Sequence, residues 1–431
     1  MFSPIYLYII SIGFPLISLY TFKDILSPHF IYTVIWIYLL PLGAMVNPSP
    51  ADDLLILWSA EHKSISSVHW FLTSFFILQF LGTYAIAINQ KTKWRPVSKK
   101  RFPALALLLG VLGVLILAIQ FLRQLSLSDW SFDLWIYYLL GARFDRPWTG
   151  SYIGGAEYIF TFVANLFPIA GVMLAYAFVF SRSISKWIFL FCLLFQLFIL
   201  VGDGSRTPMA LTLLTFGVFW WIAKKGITRY VGTGLSIAAV TVLISLMSQF
   251  RQDGLSAIRS ARDAVKFEYR QDDNYFRLMQ VALLDDIGTE KHWNAREFIG
   301  AAVVNPIPRY FWPGKPLLEQ DFYGGWKVFY VTISFVGECI AMFGLSLGLI
   351  AALVMSLVIY WILERISRLA SREGGIILYF GACFYIYSIL RSISNIGMNM
   401  TFMVAICALY YFLNRKESKR TILNTRIKRT Q

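Results

Sequence analysis

Eleven stretches of this chain are continuously apolar over lengths close to a membrane crossing, and that pattern leaves few folds open. A helix needs about 20 apolar residues to span the hydrocarbon core. The candidates fall at 2–21, 29–46, 68–88, 103–122, 155–180, 187–201, 208–223, 231–249, 331–358, 375–390 and 396–413. The run at 187–201 is short, and 51–60 (A-D-D-L-L-I-L-W-S-A) is a segment that dips in without crossing. Continuous runs without period-two alternation argue against a β-barrel. With 57% hydrophobic residues and a mean hydropathy of +0.60, the chain is not a soluble globule. The expected fold is all-α and polytopic, with about 11 transmembrane helices. Met1 opens onto the first run with no basic leader and no small-residue cleavage site following it, so that span is expected to stay as an anchor.

Orientation follows from the Lys/Arg bias of the short loops. Residues 91–101 (K-T-K-W-R-P-V-S-K-K-R) hold six basic residues and no acid, which marks them as cytoplasmic. Alternation from there puts 22–28, 181–186, 224–230, 359–374 and the tail 414–431 on the same side. That side carries 22 basic and 4 acidic residues; everything else carries 17 and 20. The formal charge of +15 is therefore a mark of topology and of contact with anionic lipid, and nucleic acid need not be invoked. The N-terminus is expected outside and the C-terminus in the cytoplasm.

By this reading the chain divides into helices 1–8 over 1–249, a large outer loop over 250–330, helices 9–11 over 331–413 and the basic tail 414–431. The large loop has 11 basic and 11 acidic residues, which fits a solvated helical element better than a cationic funnel. Residues 255–282 have helical spacing without Gly or Pro, and 294–304 fit a short helix that Pro306 and Pro308 would stop. After it comes a stiff stretch, N-P-I-P-R-Y-F-W-P-G-K-P at 305–316, carrying Arg309 and Lys315. The smaller outer loop at 123–154 is aromatic and mixed in charge, an interfacial amphipathic element with a turn at Arg146-Pro147. Cys192, Cys339, Cys383 and Cys407 all fall in spans, so neither a disulfide framework nor a CxxC site is present. Four scattered histidines (His29, His62, His69, His292) have no ligand spacing, and no metal site is expected.

Charge near a bilayer is costly unless paired or hydrated, so ionisable groups at span ends and inside spans carry the functional signal. Asp203 and Arg206 lie in the short turn G-D-G-S-R-T-P at 202–208. Arg251 follows the eighth span, Arg391 sits in the turn between the last two, and Glu338 lies about two turns inside the ninth. Each has a plain alternative. Arg206 can pair with Asp203 or reach to headgroups, Arg251 and Arg391 can do the latter, and Glu338 can belong to a structural Glu–Arg pair. His292, in a polar stretch of the loop, reads as a surface residue before it reads as a base. Taken together, Arg206, Arg251 and Arg391 with Glu338 converge on one membrane face, beside the loop of Arg309 and Lys315. Arg binds phosphate through a planar fork of donors that stays charged, so a diphosphate at the lipid–water boundary would match this set. A carboxylate beside it is placed to take a proton from a sugar hydroxyl.

Three stretches carry a resemblance: V-G-D-G-S-R-T-P at 201–208, N-P-I-P-R-Y-F-W-P-G-K-P at 305–316, and S-F-V-G-E at 334–338 followed by F-G-L at 343–345. With the plan of many spans, one large late outer loop and a basic tail, the chain resembles the O-antigen and oligosaccharide repeat-unit polymerases of bacterial inner membranes, the Wzy type. The resemblance implies an inverting, GT-C-like membrane glycosyltransferase that uses undecaprenyl-diphosphate oligosaccharides as donor and acceptor at the periplasmic face. It implies no metal or other cofactor, membrane lipids as surroundings, and a polysaccharide chain-length regulator as a partner. The motif Arg carries over as Arg206, the loop pair as Arg309 and Lys315, and the motif Glu as Glu338, the expected base. Arg251 and Arg391 join the diphosphate set on the topology argument, with Asp203 and His292 as supporting residues. Arg143 with Gly154 and Arg277 with Gly288 have the R-x10-G spacing described for some members, a spacing that chance also produces here. Two other readings stand beside this one: a flippase for lipid-linked oligosaccharides, and an O-antigen ligase sharing the same donor.

Overall fold

The computed structural model describes residues 5–39, 62–89, 103–141, 146–148, 166–181, 184–203, 206–253, 278, 293–304, 334–371, 375–393, 396, 403–404, 406–408 and 410–411. Among them the chain is helical, with no strand. Four helices are long and apolar enough to cross a membrane: Trp70–Asn89, Leu105–Ser126, Ser185–Gly202 and Leu345–Ala370. Shorter apolar helices accompany them. The apolar faces that these helices leave exposed (Leu107, Val111, Phe191, Leu194, Ile350 and Val354 among them) are lipid-facing in a membrane protein. The chain forms two compact units, residues 97–268 and residues 1–96 with 269–431.

The first unit opens with α1 (Ile5–Phe22), α2 (Pro28–Leu39) and α3 (His62–Asn89). It is completed by α10 (Ala295–Val304), α11 (Phe335–Phe343), α12 (Leu345–Ser367), a 3-10 turn at Arg368–Ser371, and α13 (Gly375–Arg391). Hydrogen bonds gather the ends of α1, α3 and α12 and the starts of α2 and α13 at one end. Thr21 bonds Tyr84 at 3.1 Å, Tyr379 donates to the Leu26 carbonyl at 3.0 Å, and Tyr32 donates to the Ser356 carbonyl at 2.8 Å. His29 is buried there, bonded to Ser18 at 2.8 Å and Thr83 at 3.3 Å and ringed by Phe22, Phe80, Tyr84 and Tyr360. The segments 22–28 and 359–371, both on the side assigned by charge, thus share an end of this unit.

The second unit holds α4 (Pro103–Ser126), α5 (Phe132–Leu140), α6 (Phe167–Phe180), α7 (Ser185–Gly202), α8 (Arg206–Ala223) and α9 (Ile227–Asp253). α4 approaches α6 through Gly113, where a Cβ would stand 2.9 Å from the Leu174 side chain and 3.2 Å from the Ala170 carbonyl. Small residues at a helix contact let backbones meet closely in lipid, where no hydrophobic force drives them together. One end of this unit is basic and aromatic. Lys186 lies over Phe178, Lys224 over Trp220, and Arg229 over Trp221 with its guanidinium 3.6 Å from the ring. Cations over indoles at helix ends suit the headgroup layer.

Several boundaries differ from the sequence expectation. The run at 187–201 is a full helix of 18 residues, because Ser185, Lys186 and Gly202 extend it. α9 continues through Arg251 to Asp253, so Arg251 stands on its last turn and not beyond it. α12 runs on to Ser367, into the stretch read as a loop. The run at 331–358 is broken: Gly344, at φ +77°, ends α11 and starts α12. Hydropathy does not register such a break, since Phe343, Gly344 and Leu345 leave the apolar run intact. The expected helix at 294–304 is present as α10, whereas 255–282 lies outside the described residues except for Leu278. Within 123–154, α5 is amphipathic as expected, with Trp135 and Leu139 buried and Tyr137 exposed.

Candidate functional site

α11 is short for a physical reason at each end. Ser334 caps its N-terminus by accepting from the Gly337 amide at 3.3 Å, and Gly344 turns the chain into α12. Nine residues rise about 14 Å, too little to cross a core of about 30 Å. The helix is instead packed inside the protein: every residue from Phe335 to Met342 is buried. Phe335 meets the Trp36 ring at 5.6 Å, and the Trp293 amide donates to the Ala341 carbonyl at 2.9 Å. α12 doubles back against it so closely that a Cβ on Gly348 would stand 2.6 Å from the Ile340 Cα. α11 and α12 form a tight hairpin.

Glu338 therefore lies in the first turn of a short buried helix, not two turns inside a crossing one. Its exposure is 0%. One carboxylate oxygen accepts from the Ser392 hydroxyl and the other from the Ile393 amide, both at 2.5 Å. These donors belong to the turn that leaves α13 just after Arg391. That turn is further held by the Ser392 amide on the Ser388 carbonyl at 3.1 Å and by Ile396 on Ile393 at 2.9 Å. Tyr385 adds a bond to the Ile396 carbonyl at 3.0 Å. A buried carboxylate without such bonds would cost several kcal/mol. Its place at the N-terminal end of α11 favours the negative charge, and Arg391 in the last turn of α13 favours the helix end it occupies. Ser392 and Ile393 are sealed, at 0% and 1% exposure, while Arg391 is half-buried. The 392–393 turn closes the Glu338 carboxylate off from solvent.

The second unit carries another charged cluster. Asp203 caps α7 and accepts from the Trp148 indole at 3.0 Å and the Gln124 amide at 3.3 Å, with an Arg146 guanidinium nitrogen 3.8 Å away. Arg146 also donates to the carbonyls of Tyr138 at 3.0 Å and Gly141 at 2.8 Å, closing the end of α5. Gln124 in turn accepts from the Trp135 indole at 3.1 Å. Asp129 and Trp130 hold left-handed backbone (φ +52° and +58°) where α4 turns into α5, a strained turn that aims α5 back at this cluster.

Of the residues singled out by sequence, the structure brings Glu338 against the turn that follows Arg391. Arg206 is the first residue of α8 and Arg251 lies in the last turn of α9, their side chains outside the described residues. Arg309, Lys315 and His292 also lie outside them. Asp203 is paired with Arg146, which the sequence reading took for a turn residue only. Ser392 was missed outright, since a serine in an apolar stretch gives no charge signal. Arg146 gave one, standing with Asp145 ahead of Pro147 and Trp148 in an aromatic loop. Among the described residues no group of three or more His, Cys, Asp or Glu side chains is placed to hold a metal ion. The chain matches no protein-family model, no curated protein and no solved structure.

Proposed function

We propose that this protein is an inverting, GT-C-like glycosyltransferase of the bacterial inner membrane. In this reading it joins undecaprenyl-diphosphate-linked repeat units into O-antigen or a related surface polysaccharide. The observation that carries the proposal is the carboxylate of Glu338, buried and held by the turn after Arg391 at one end of a membrane helix. It falls within one of the three motifs that resemble the repeat-unit polymerases.

The acceptor hydroxyl attacks the anomeric carbon of the growing chain from the face opposite its diphosphate. The new glycosidic C–O bond forms as the bond to the diphosphate breaks, and undecaprenyl diphosphate leaves with the electron pair. The hydroxyl proton passes to Glu338 once the acceptor has replaced Ser392 on the carboxylate; general-base assistance of this kind supplies about 10²–10⁴-fold in rate. Arg391, with Arg309 and Lys315, supplies positive charge to the leaving diphosphate. The reading includes about 11 crossings, with 250–330 and the N-terminus in the periplasm and the C-terminus in the cytoplasm.

Deleting the gene and running lipopolysaccharide on a gel tests the class. Loss of a polymerase leaves core plus a single repeat unit. Bare core would overturn the proposal in favour of a ligase or a flippase.

A further inference from the structure

The Glu338 carboxylate is bonded to the backbone and side chain immediately after Arg391, and that arrangement does more than store a base. Two oxygens take two donors from consecutive residues, so the carboxylate fixes both the Ser392 side chain and the Ile393 peptide plane. The same turn is tied back to α13 through Ser388 and Tyr385. Arg391 is thus the half-buried end of a segment whose next two residues are each held by a hydrogen bond to Glu338. The clamp spans the chain: α11 belongs to the hairpin closed by Gly344, whereas Arg391 ends a different helix.

We propose that Glu338, Ser392 and the Ile393 peptide form a staple that holds Arg391 in place to bind the substrate's diphosphate, which makes Ser392 a positioning residue. The inference rests on the diphosphate role given to Arg391 above. It assigns Glu338 a second task that differs from base catalysis in what it controls. The base acts on turnover; the staple acts on binding of the diphosphate before any bond forms. Glutamine at 338 separates the two. Its carbonyl oxygen accepts from the Ile393 amide and its amide nitrogen donates to the Ser392 oxygen, so the staple survives while the base is gone.

The test measures binding of farnesyl diphosphate to the full-length protein purified in detergent, with each variant's thermal unfolding recorded alongside. Arg391→Ala and Ser392→Ala are each expected to weaken binding about tenfold or more, the size expected when a buried group loses its hydrogen bond. The double variant is expected to bind no worse than Arg391→Ala alone, because both changes remove one function. Ser392→Thr, which keeps the hydroxyl, restores binding, and Glu338→Gln binds within about twofold of the natural protein. Wild-type binding by Ser392→Ala, or losses that multiply in the double variant, would overturn the staple. Should Ser392→Ala fail to fold, Ser392→Cys, a weaker donor of similar size, is expected to show an intermediate loss, and unchanged binding there overturns the staple equally. Unchanged binding by Arg391→Ala would instead remove the diphosphate role of Arg391, and the staple with it.

Discussion

At the scale of single residues, the proposed reaction asks different things of the groups that would meet a substrate and of those that hold them. In the proposed function Arg391 and Arg206 bind phosphate, each through a planar fork that donates two bonds to one anionic group. Arg391→Lys and Arg206→Lys keep the charge and lose the fork, so each is expected to lower polymer output about tenfold at unchanged protein level. Full output from both would make them headgroup anchors. Asp203 shows where single-residue reasoning reached its limit. Its nearest cation in sequence on the helix side is Arg206, and the structure also brings it within 3.8 Å of Arg146, 57 positions upstream. A local turn can be read from Arg146-Pro147, but a partner so far along the chain depends on how α5 is folded back, which one sequence does not encode locally. The Arg146 side chain is 1% exposed. Removing it as Arg146→Ala takes a nearby cation from Asp203 and the cap from the end of α5. The expected cost is about 3 kcal/mol, read as a lower unfolding temperature in detergent.

At the scale of elements, the break at Gly344 is what places the buried carboxylate. Helix starts and stops were legible wherever Pro, Gly or charge punctuates the apolar runs: α10 stops ahead of Pro306, and α4 opens at Pro103. The hairpin of α11 and α12 was not legible, because its turn is made by a glycine flanked by Phe343 and Leu345. Only the backbone shows that Gly344 is left-handed and that Gly348 admits the Cys339–Ile340 backbone at van der Waals contact. Gly348→Val should push the two helices apart. We expect it to destabilise the protein by about 1–3 kcal/mol or more, as overpacking does, and to weaken polymer formation with Glu338 untouched. Gly234→Ala, at a helical glycine with nothing near the added Cβ, is the control and should change neither.

At the scale of the whole molecule, the described residues are helical and include helices apolar and long enough to cross a membrane, as expected, while the sidedness drawn from charge is a proposal. In one unit, Lys186, Lys224 and Arg229 stack on aromatic rings at the end opposite Asp203. In the other, Arg365 lies 5.0 Å from the Trp361 ring at the end where α12 stops. Tryptophan and tyrosine favour both membrane interfaces, and it is the Lys/Arg excess of the short loops that marks the cytoplasmic one. Reporter fusions at residue 431 should therefore behave as cytoplasmic and fusions near residue 290 as periplasmic. Cytoplasmic behaviour near 290 would remove the basis for a site on the outer face.

The most direct measurement is made on the purified protein reconstituted in lipid vesicles with an undecaprenyl-diphosphate-linked repeat unit. The account predicts a ladder of products one repeat unit apart, with one undecaprenyl diphosphate released for each bond formed. It also predicts that Glu338→Gln, folded and inserted, forms no ladder. A folded natural protein that leaves the repeat unit monomeric, or a full ladder from Glu338→Gln, would contradict it.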